Sequence, residues 1–173
     1  MKSQKEQGFT LIELLIVVAI ISIIAAIAVP GLMRARMSGN EASAISSLRQ
    51  ITVAEVSYSS ACGGNAFAVS LTTLGVATPG TTESFLSPDL TSVAAPQKSG
   101  YNFALAAGAG AAAGPNDCNC TAMQTAYYAT AVPQTFGTTG TRSFAVNGAS
   151  TIWQVSLATA PTEPFGAPAV PIG

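Results

Sequence analysis

An uninterrupted apolar segment at residues 9–29 constrains this chain more than any other feature. The segment, FTLIELLIVVAIISIIAAIAV, contains a single charged residue, Glu13. As an α-helix it would be about 31 Å long, which is close to the thickness of a bilayer's hydrocarbon core. Pro30 and Gly31 follow directly, and a proline inside a helix removes a backbone hydrogen bond. The sequence therefore predicts a membrane-spanning helix with a helix perturbation at Pro30.

Three kinds of N-terminal segment share this outline, and Glu13 distinguishes them. A secretory signal peptide has a basic start, an apolar run and a cleavage site, for which Ala26-Ile27-Ala28 is the candidate here. A plain signal anchor has the same features without cleavage. Neither gains anything from a carboxylate inside the membrane, which is costly there and usually functional. Glu13 therefore favours a third kind of segment, one that uses its charge.

The residues around Glu13 carry a specific resemblance. Gly8-Phe9-Thr10-Leu11-Ile12-Glu13-Leu14-Leu15 resembles the type IV prepilin motif, and the short leader and Phe9 resemble its type IVa class. The similarity extends over about residues 8–37. It implies that a prepilin peptidase cleaves the leader, residues 1–8, between Gly8 and Phe9. It also implies that the same enzyme methylates the new amine of Phe9.

The resemblance also implies a route from membrane to filament. Residues 9–29 would first hold the chain in the inner membrane as a single pass, with the N-terminus inside. With the inner-membrane assembly machinery they would then form the core of a homopolymeric surface pilus. The flanking basic residues balance across the segment, so charge alone does not set this orientation. We expect a bend at Pro30 in the isolated subunit and a non-helical stretch before it in the filament.

The new ammonium group of Phe9 would lie four residues before Glu13, which makes the two a candidate assembly pair. A lone carboxylate in an apolar filament core is costly, so an ammonium from a neighbouring subunit could neutralise it. Within one subunit the same two groups have helical i,i+4 spacing. The intersubunit and the internal pair both remain open from the sequence.

The second half of the helix, residues 30–61, is predicted to be amphipathic. Ile45, Leu48 and Val56 fall on one face and are expected to face the head, whereas Ile51 and Tyr58 point elsewhere. Cys62-Gly63-Gly64 is predicted to end the helix.

Residues 62–173 are predicted to form a globular head with a loop-rich connector and a loose, proline-rich tail. Strand patterns occur at residues 101–105, 125–132, 143–147 and 151–157, with Asn147-Gly148 as a hairpin turn. The Gly/Ala-rich residues 106–115 are predicted to be a flexible loop. The expected fold is α+β: a long N-terminal helix packed on a roughly four-stranded antiparallel sheet. The resemblance implies the same architecture.

The head contains little residue chemistry beyond its cysteines. In an exported protein, Cys62, Cys118 and Cys120 suggest one disulfide and one spare thiol. Cys62 is expected to pair with Cys118 or Cys120, because a Cys118–Cys120 ring would be very tight. The chain has no histidine, so a zinc site would lack a fourth ligand. We expect no metal, no cofactor and no enzymatic activity.

The balance of charge and motif points to a structural protein. With 7 basic and 8 acidic residues, the chain lacks the charge of a typical nucleic-acid binder. The resemblance implies a type IV pilus subunit serving adhesion, twitching motility or DNA uptake. One alternative is a pseudopilin of type II secretion, although such proteins usually carry a calcium loop near the C-terminus. Here only Glu163 is acidic after Asp117. The other alternative is a secreted monomeric binding protein with an ordinary signal peptide.

Overall fold

The computed structural model describes residues 9–172, and its contacts divide the chain into two compact units between Arg36 and Met37. The leader, including Gly8, lies outside the described residues. The division of the helix into an apolar segment, residues 9–29, and an amphipathic segment, residues 30–61, remains a prediction.

One long helix, α1, occupies Leu11–Ala61. Leucine, isoleucine and alanine make up most of its first half, and Pro30 lies inside it. The helix ends as the sequence predicts: the Gly63 amide donates to the Tyr58 carbonyl at 2.8 Å. Gly64 follows at φ +53°, a left-handed conformation that glycine adopts without steric cost.

The buried stripe of α1 differs from the predicted one. Leu48 is buried as expected and Ile45 packs against the core, but Val56 is 54% exposed. Ile51 and Tyr58, which were expected to point elsewhere, are buried. The stripe comprises Glu41, Ala44, Ser47, Leu48, Ile51, Ala54, Glu55 and Tyr58. Five of these eight side chains are small or charged, so the large apolar residues alone located the stripe only in part.

The main sheet has six antiparallel strands in the order β2-β3-β6-β7-β8-β9. Their bounds are Gln97–Lys98, Tyr101–Ala107, Tyr127–Pro133, Ser143–Asn147, Trp153–Val155 and Val170–Pro171. The predicted α+β fold and the β7–β8 hairpin are confirmed. The sheet has two more strands than expected, β2 and β9, and each of them has only two residues. Strands that short have no alternating pattern to detect.

A smaller sheet of three strands, in the order β1-β5-β4, lies in the connector. Its strands are Phe67–Ala68, Ala122–Gln124 and Ala113–Asn116, and the short helices α2 and α3 occupy Leu71–Leu74 and Pro88–Thr91. The flexible loop predicted at residues 106–115 is therefore wrong in part. Ala106 and Ala107 pair with β6, and β4 begins at Ala113. Strands of glycine and alanine form here by pairing with neighbours, without a side-chain pattern of their own.

The proline-rich tail is packed on the sheet, so the expectation of a loose tail is wrong. The Phe165 ring stacks on Trp153 with 5.3 Å between ring centroids. Glu163 accepts a hydrogen bond from Asn147 Nδ2 at 2.6 Å, and the Tyr128 hydroxyl donates to the Pro161 carbonyl. Prolines end regular structure, but they do not prevent the aromatic and carboxylate contacts that attach this segment.

The hydrophobic core of residues 37–172 lies between α1 and one face of the main sheet. Alternate residues of β6 are buried, and Ala131 lies opposite both Phe103 and Phe144. Small residues on the central strand leave room for the two flanking rings. Leu48 and Ile51 of α1 are fully buried in the same cluster.

Candidate assembly site and its support in the head

Residues 11–29 form an apolar surface with no protein partner in the described part of the chain. Each large apolar side chain in this range is at least 50% exposed. By length and composition α1 could cross a membrane, and no residue of its most apolar part is buried. Apolar surface on this scale marks a site for lipid or for other helices.

Glu13 is bonded locally at the start of this surface. Its Oε2 accepts from the Thr10 amide at 2.9 Å and from Thr10 Oγ1 at 2.5 Å. In return, the Glu13 amide donates to Thr10 Oγ1 at 3.3 Å. This reciprocal pair is a capping box, which satisfies amides that a helix leaves unpaired at its first turn. The Thr-x-x-Glu spacing signals it in the sequence, yet the role of Thr10 was missed there.

The predicted pairing of Glu13 with the Phe9 amine remains a prediction. Phe9 is 86% exposed, and the amine forms only after cleavage at Gly8, which lies outside the described residues. The capping box gives Glu13 a second role, and an experiment on the predicted charge pair must distinguish the loss of the pair from the loss of the helix cap.

The polar atoms along the apolar segment are few and locally satisfied. Ser22 Oγ donates to the Val18 carbonyl at 2.7 Å. Pro30 lies within α1 and cannot donate to the Ala26 carbonyl. Arg34 and Arg36, just beyond it, are both exposed.

A disulfide between Cys62 and Cys118 decides between the two expected pairings. It joins the end of α1 to the β4–β5 loop, where the Cys118 amide also donates to the Cys62 carbonyl at 3.2 Å. Among the described cysteines, Cys120 is free and exposed. The spare thiol that the odd number predicted is therefore Cys120.

Asp117 organises the loop that holds this disulfide. Its Oδ1 accepts from the Asn119 and Thr121 amides at 2.8 and 2.7 Å, and its Oδ2 accepts from the Tyr58 hydroxyl at 2.7 Å. The carboxylate is buried and serves the fold. This contact orients Cys118 toward the end of α1.

Replacing Cys62 and Cys118 together by serine should destabilise the head by about 2–4 kcal/mol, because the open chain regains conformational freedom when unfolded. The matched control is Cys120→Ser, which removes only the exposed thiol and should change stability by under about 0.5 kcal/mol. Denaturant unfolding of the full chain in detergent measures both. Equal effects of the two changes would contradict this assignment.

A second contact anchors Thr141 and Arg142 to α1. The buried carboxylate of Glu41 accepts from Thr141 through Oε1 and from Arg142 Nε and Nη2 through Oε2, at 2.9 and 2.6 Å. Burial alone would raise the pKa of Glu41, but the hydrogen bonds from Thr141 and Arg142 lower it below its usual value. Arg142 also donates to Gln154 on β8. These contacts attach α1 at Glu41 to the main sheet.

Glu55 is the least expected residue of the buried stripe. It is fully buried; its Oε2 accepts from the Ala68 amide at 3.0 Å. Its Oε1 and the Tyr127 hydroxyl, both buried, have no hydrogen-bond partner among residues 9–172. Burial raises the pKa of Glu55 to about 8. The 3–4 residue spacing of Glu41, Ala44, Leu48, Ile51 and Glu55 was the available signal for this position.

Comparison with known proteins agrees with the N-terminal features. A family model described as the prokaryotic N-terminal methylation motif matches residues 3–29. No curated protein and no solved structure matches significantly. The matched range contains Gly8, Phe9, Glu13 and the whole exposed apolar surface of residues 11–29. The chain therefore carries the N-terminal methylation motif at the start of a long apolar helix, and this helix followed by an antiparallel-sheet head is a pilin-like architecture.

Proposed function

We propose that this protein is a structural subunit of a type IV pilus, which polymerises through residues 9–29 into a cell-surface filament. The observation that carries the proposal is the unpartnered apolar surface of residues 11–29 behind a methylation motif. Lipid covers this surface before assembly, and the helices of other subunits cover it afterwards. The filament serves adhesion, twitching motility or DNA uptake.

The same proposal assigns the segments and partners. Residues 1–8 are the leader that a prepilin peptidase removes, and inner-membrane machinery moves the mature chain into the filament. Residues 9–29 form the filament core, residues 30–61 carry the head, and residues 62–173 form the exposed surface. Near Pro30, neighbouring helices shield free backbone groups, so the preceding stretch loses helical structure in the filament. The protein has no enzymatic role.

The contacts of Glu163 support a pilus subunit over a pseudopilin of type II secretion. Its Oε1 accepts from Asn147, and its Oε2 accepts from the Ala109 amide at 2.6 Å. The last acidic residue of the chain is thus committed to attaching the tail, whereas a calcium loop needs several free oxygen ligands. Electron microscopy of native cells discriminates the two functions, because a pilus subunit forms long surface fibres at native expression.

We expect the mature chain to begin with N-methylated Phe9. Gly8→Leu should abolish processing, because a large side chain beside the cleaved bond crowds the peptidase site. Gln7→Ala, one residue further away, should leave processing intact. Mass spectrometry of the N-terminal peptide measures this directly. A mature terminus at Val29 would instead identify an ordinary signal peptide and contradict the pilus subunit.

A further inference from the structure

Almost every acidic side chain within residues 37–172 already has a hydrogen-bond or ion-pair partner in the chain. Glu41 pairs with Arg142 at 2.6 Å, and Asp89 pairs with Lys98 at 2.7 Å. Asp117 and Glu163 accept hydrogen bonds as described above. Glu83 differs: it is exposed, and no donor within residues 9–172 contacts its carboxylate.

The loop that carries Glu83 is held at both ends. On one side, Thr78–Thr81 form a tight turn in which the Thr81 amide donates to the Thr78 carbonyl at 3.0 Å. Gly80 has φ +91° there, as the third position of a type II turn requires. On the other side, the Phe85 amide donates to the Leu74 carbonyl at 3.0 Å. Glu83 is therefore presented at a defined place on the surface.

This loop forms one wall of an open groove of about 520 Å³ at the end of α1. The groove extends from Ala61 to Phe85, and among residues 9–172 Glu83 is its only charged lining residue. The Phe85 ring packs edge-on against Tyr58, with 5.4 Å between centroids, which fixes the groove wall. The groove thus combines a wall held by these contacts with one unpaired negative charge.

Three exposed cations of α1 also lack a carboxylate partner in the described chain: Arg34, Arg36 and Arg49. Arg49 lines a second groove that shares Phe85 with the first, so Arg49 and Glu83 belong to one face. A head-to-tail contact joins two different surfaces of the chain, so Arg49, which lies on the same face as Glu83, is not the expected partner of Glu83. Arg34 and Arg36 are then the cations left to complement Glu83 from another molecule.

We propose that the Glu83 groove binds the basic segment 34–36 of a second copy of this chain. The inference rests on the proposed filament: burying residues 9–29 among other subunits brings the residues that follow them against neighbouring heads. Residues two apart on a helix project about 200° apart, so a given neighbour meets either Arg34 or Arg36. The charge pair sets the register between adjacent subunits.

Charge exchange in the full-length protein tests this contact in cells that assemble the parent fibre. Glu83→Arg should reduce surface fibres about fivefold or more, because it replaces an attraction by a repulsion. Arg34→Glu or Arg36→Glu should do the same. Combining the effective arginine change with Glu83→Arg should restore fibres to near the parent number. Fibres are counted by electron microscopy, and immunoblotting verifies equal subunit in the membranes.

Arg49→Glu is the matched control, since it reverses a charge on the same helix outside the proposed contact. Glu83→Arg should not rescue any defect that Arg49→Glu causes. Unchanged fibre counts in the single variants, or rescue by neither double variant, would overturn the contact while leaving the pilus function standing. If the processed parent itself forms no fibres, the pilus function fails and this contact fails with it.

Discussion

Glu13→Gln is expected to reduce surface fibres by about a hundredfold or more while leaving expression, membrane insertion and the head fold intact. The reason is charge: an ammonium left without its carboxylate in apolar surroundings costs about 3–5 kcal/mol. Glutamine has nearly the same shape and can still accept hydrogen bonds from Thr10, as the capping-box pattern allows. The change therefore removes the charge and keeps the helix cap. Fibre counts and membrane-retained subunit are the measurements.

Two further variants separate the roles of Glu13. Glu13→Ala removes both charge and cap and should be at least as harmful. Thr10→Val removes the hydroxyl of the cap and keeps the charge, and should cost about 0.5–2 kcal/mol of helix stability with fibres retained. If Glu13→Gln assembled normally and Thr10→Val did not, Glu13 would act as a helix cap and the charge pair would be wrong.

Glu55→Gln is expected to remove a large pH dependence from the stability of the head. In the folded chain burial raises the pKa of Glu55 from 4.5 to about 8. Between these values the unfolded chain releases the proton while the folded chain keeps it, so stability falls as pH rises. The loss is about 1.4 kcal/mol per pH unit, or about 4–5 kcal/mol over the window. Below pH 4.5 the group contributes no such penalty.

Denaturant unfolding of the full chain in detergent at pH 5 and pH 9 measures this effect. The Glu55→Gln variant should match the parent within about 1 kcal/mol at pH 5 and exceed it by about 4–5 kcal/mol at pH 9. Burial raises the pKa values of Tyr58 and Tyr127, so their hydroxyls stay neutral across this range. Glu83→Gln, at an exposed site, controls for the loss of one negative charge. Equal pH slopes in parent and Glu55→Gln would refute the buried acid.

Local sequence patterns were sufficient to predict the long helix, its end, the class of fold and the central strands. The apolar segment can be recognised from the sequence alone, because an apolar run of this length indicates a membrane-spanning helix. The helix ends at Cys62-Gly63-Gly64 because glycine adopts the required backbone conformation by itself. The β7–β8 hairpin was predicted from two short strand-forming stretches with Asn147-Gly148 in the turn between them. Each of these features is decided by residues close together in the chain.

Tertiary contacts decided the features that depend on distant residues. Cys62 reaches Cys118 because Asp117 binds Tyr58 and two amides of its own loop, none of which spacing reveals. Val56 is exposed and Glu55 buried because the sheet covers a stripe of α1 that contains small and polar side chains. The proline-rich tail packs because Phe165 meets Trp153 and Glu163 meets Asn147. The sequence alone therefore determined that an apolar N-terminal helix precedes an α+β head. Only the tertiary structure decided which face of α1 is buried, which cysteine pairs with Cys62 and which carboxylates hold the loops in place. Each of these depends on residues that are distant in the chain and are brought together by folding.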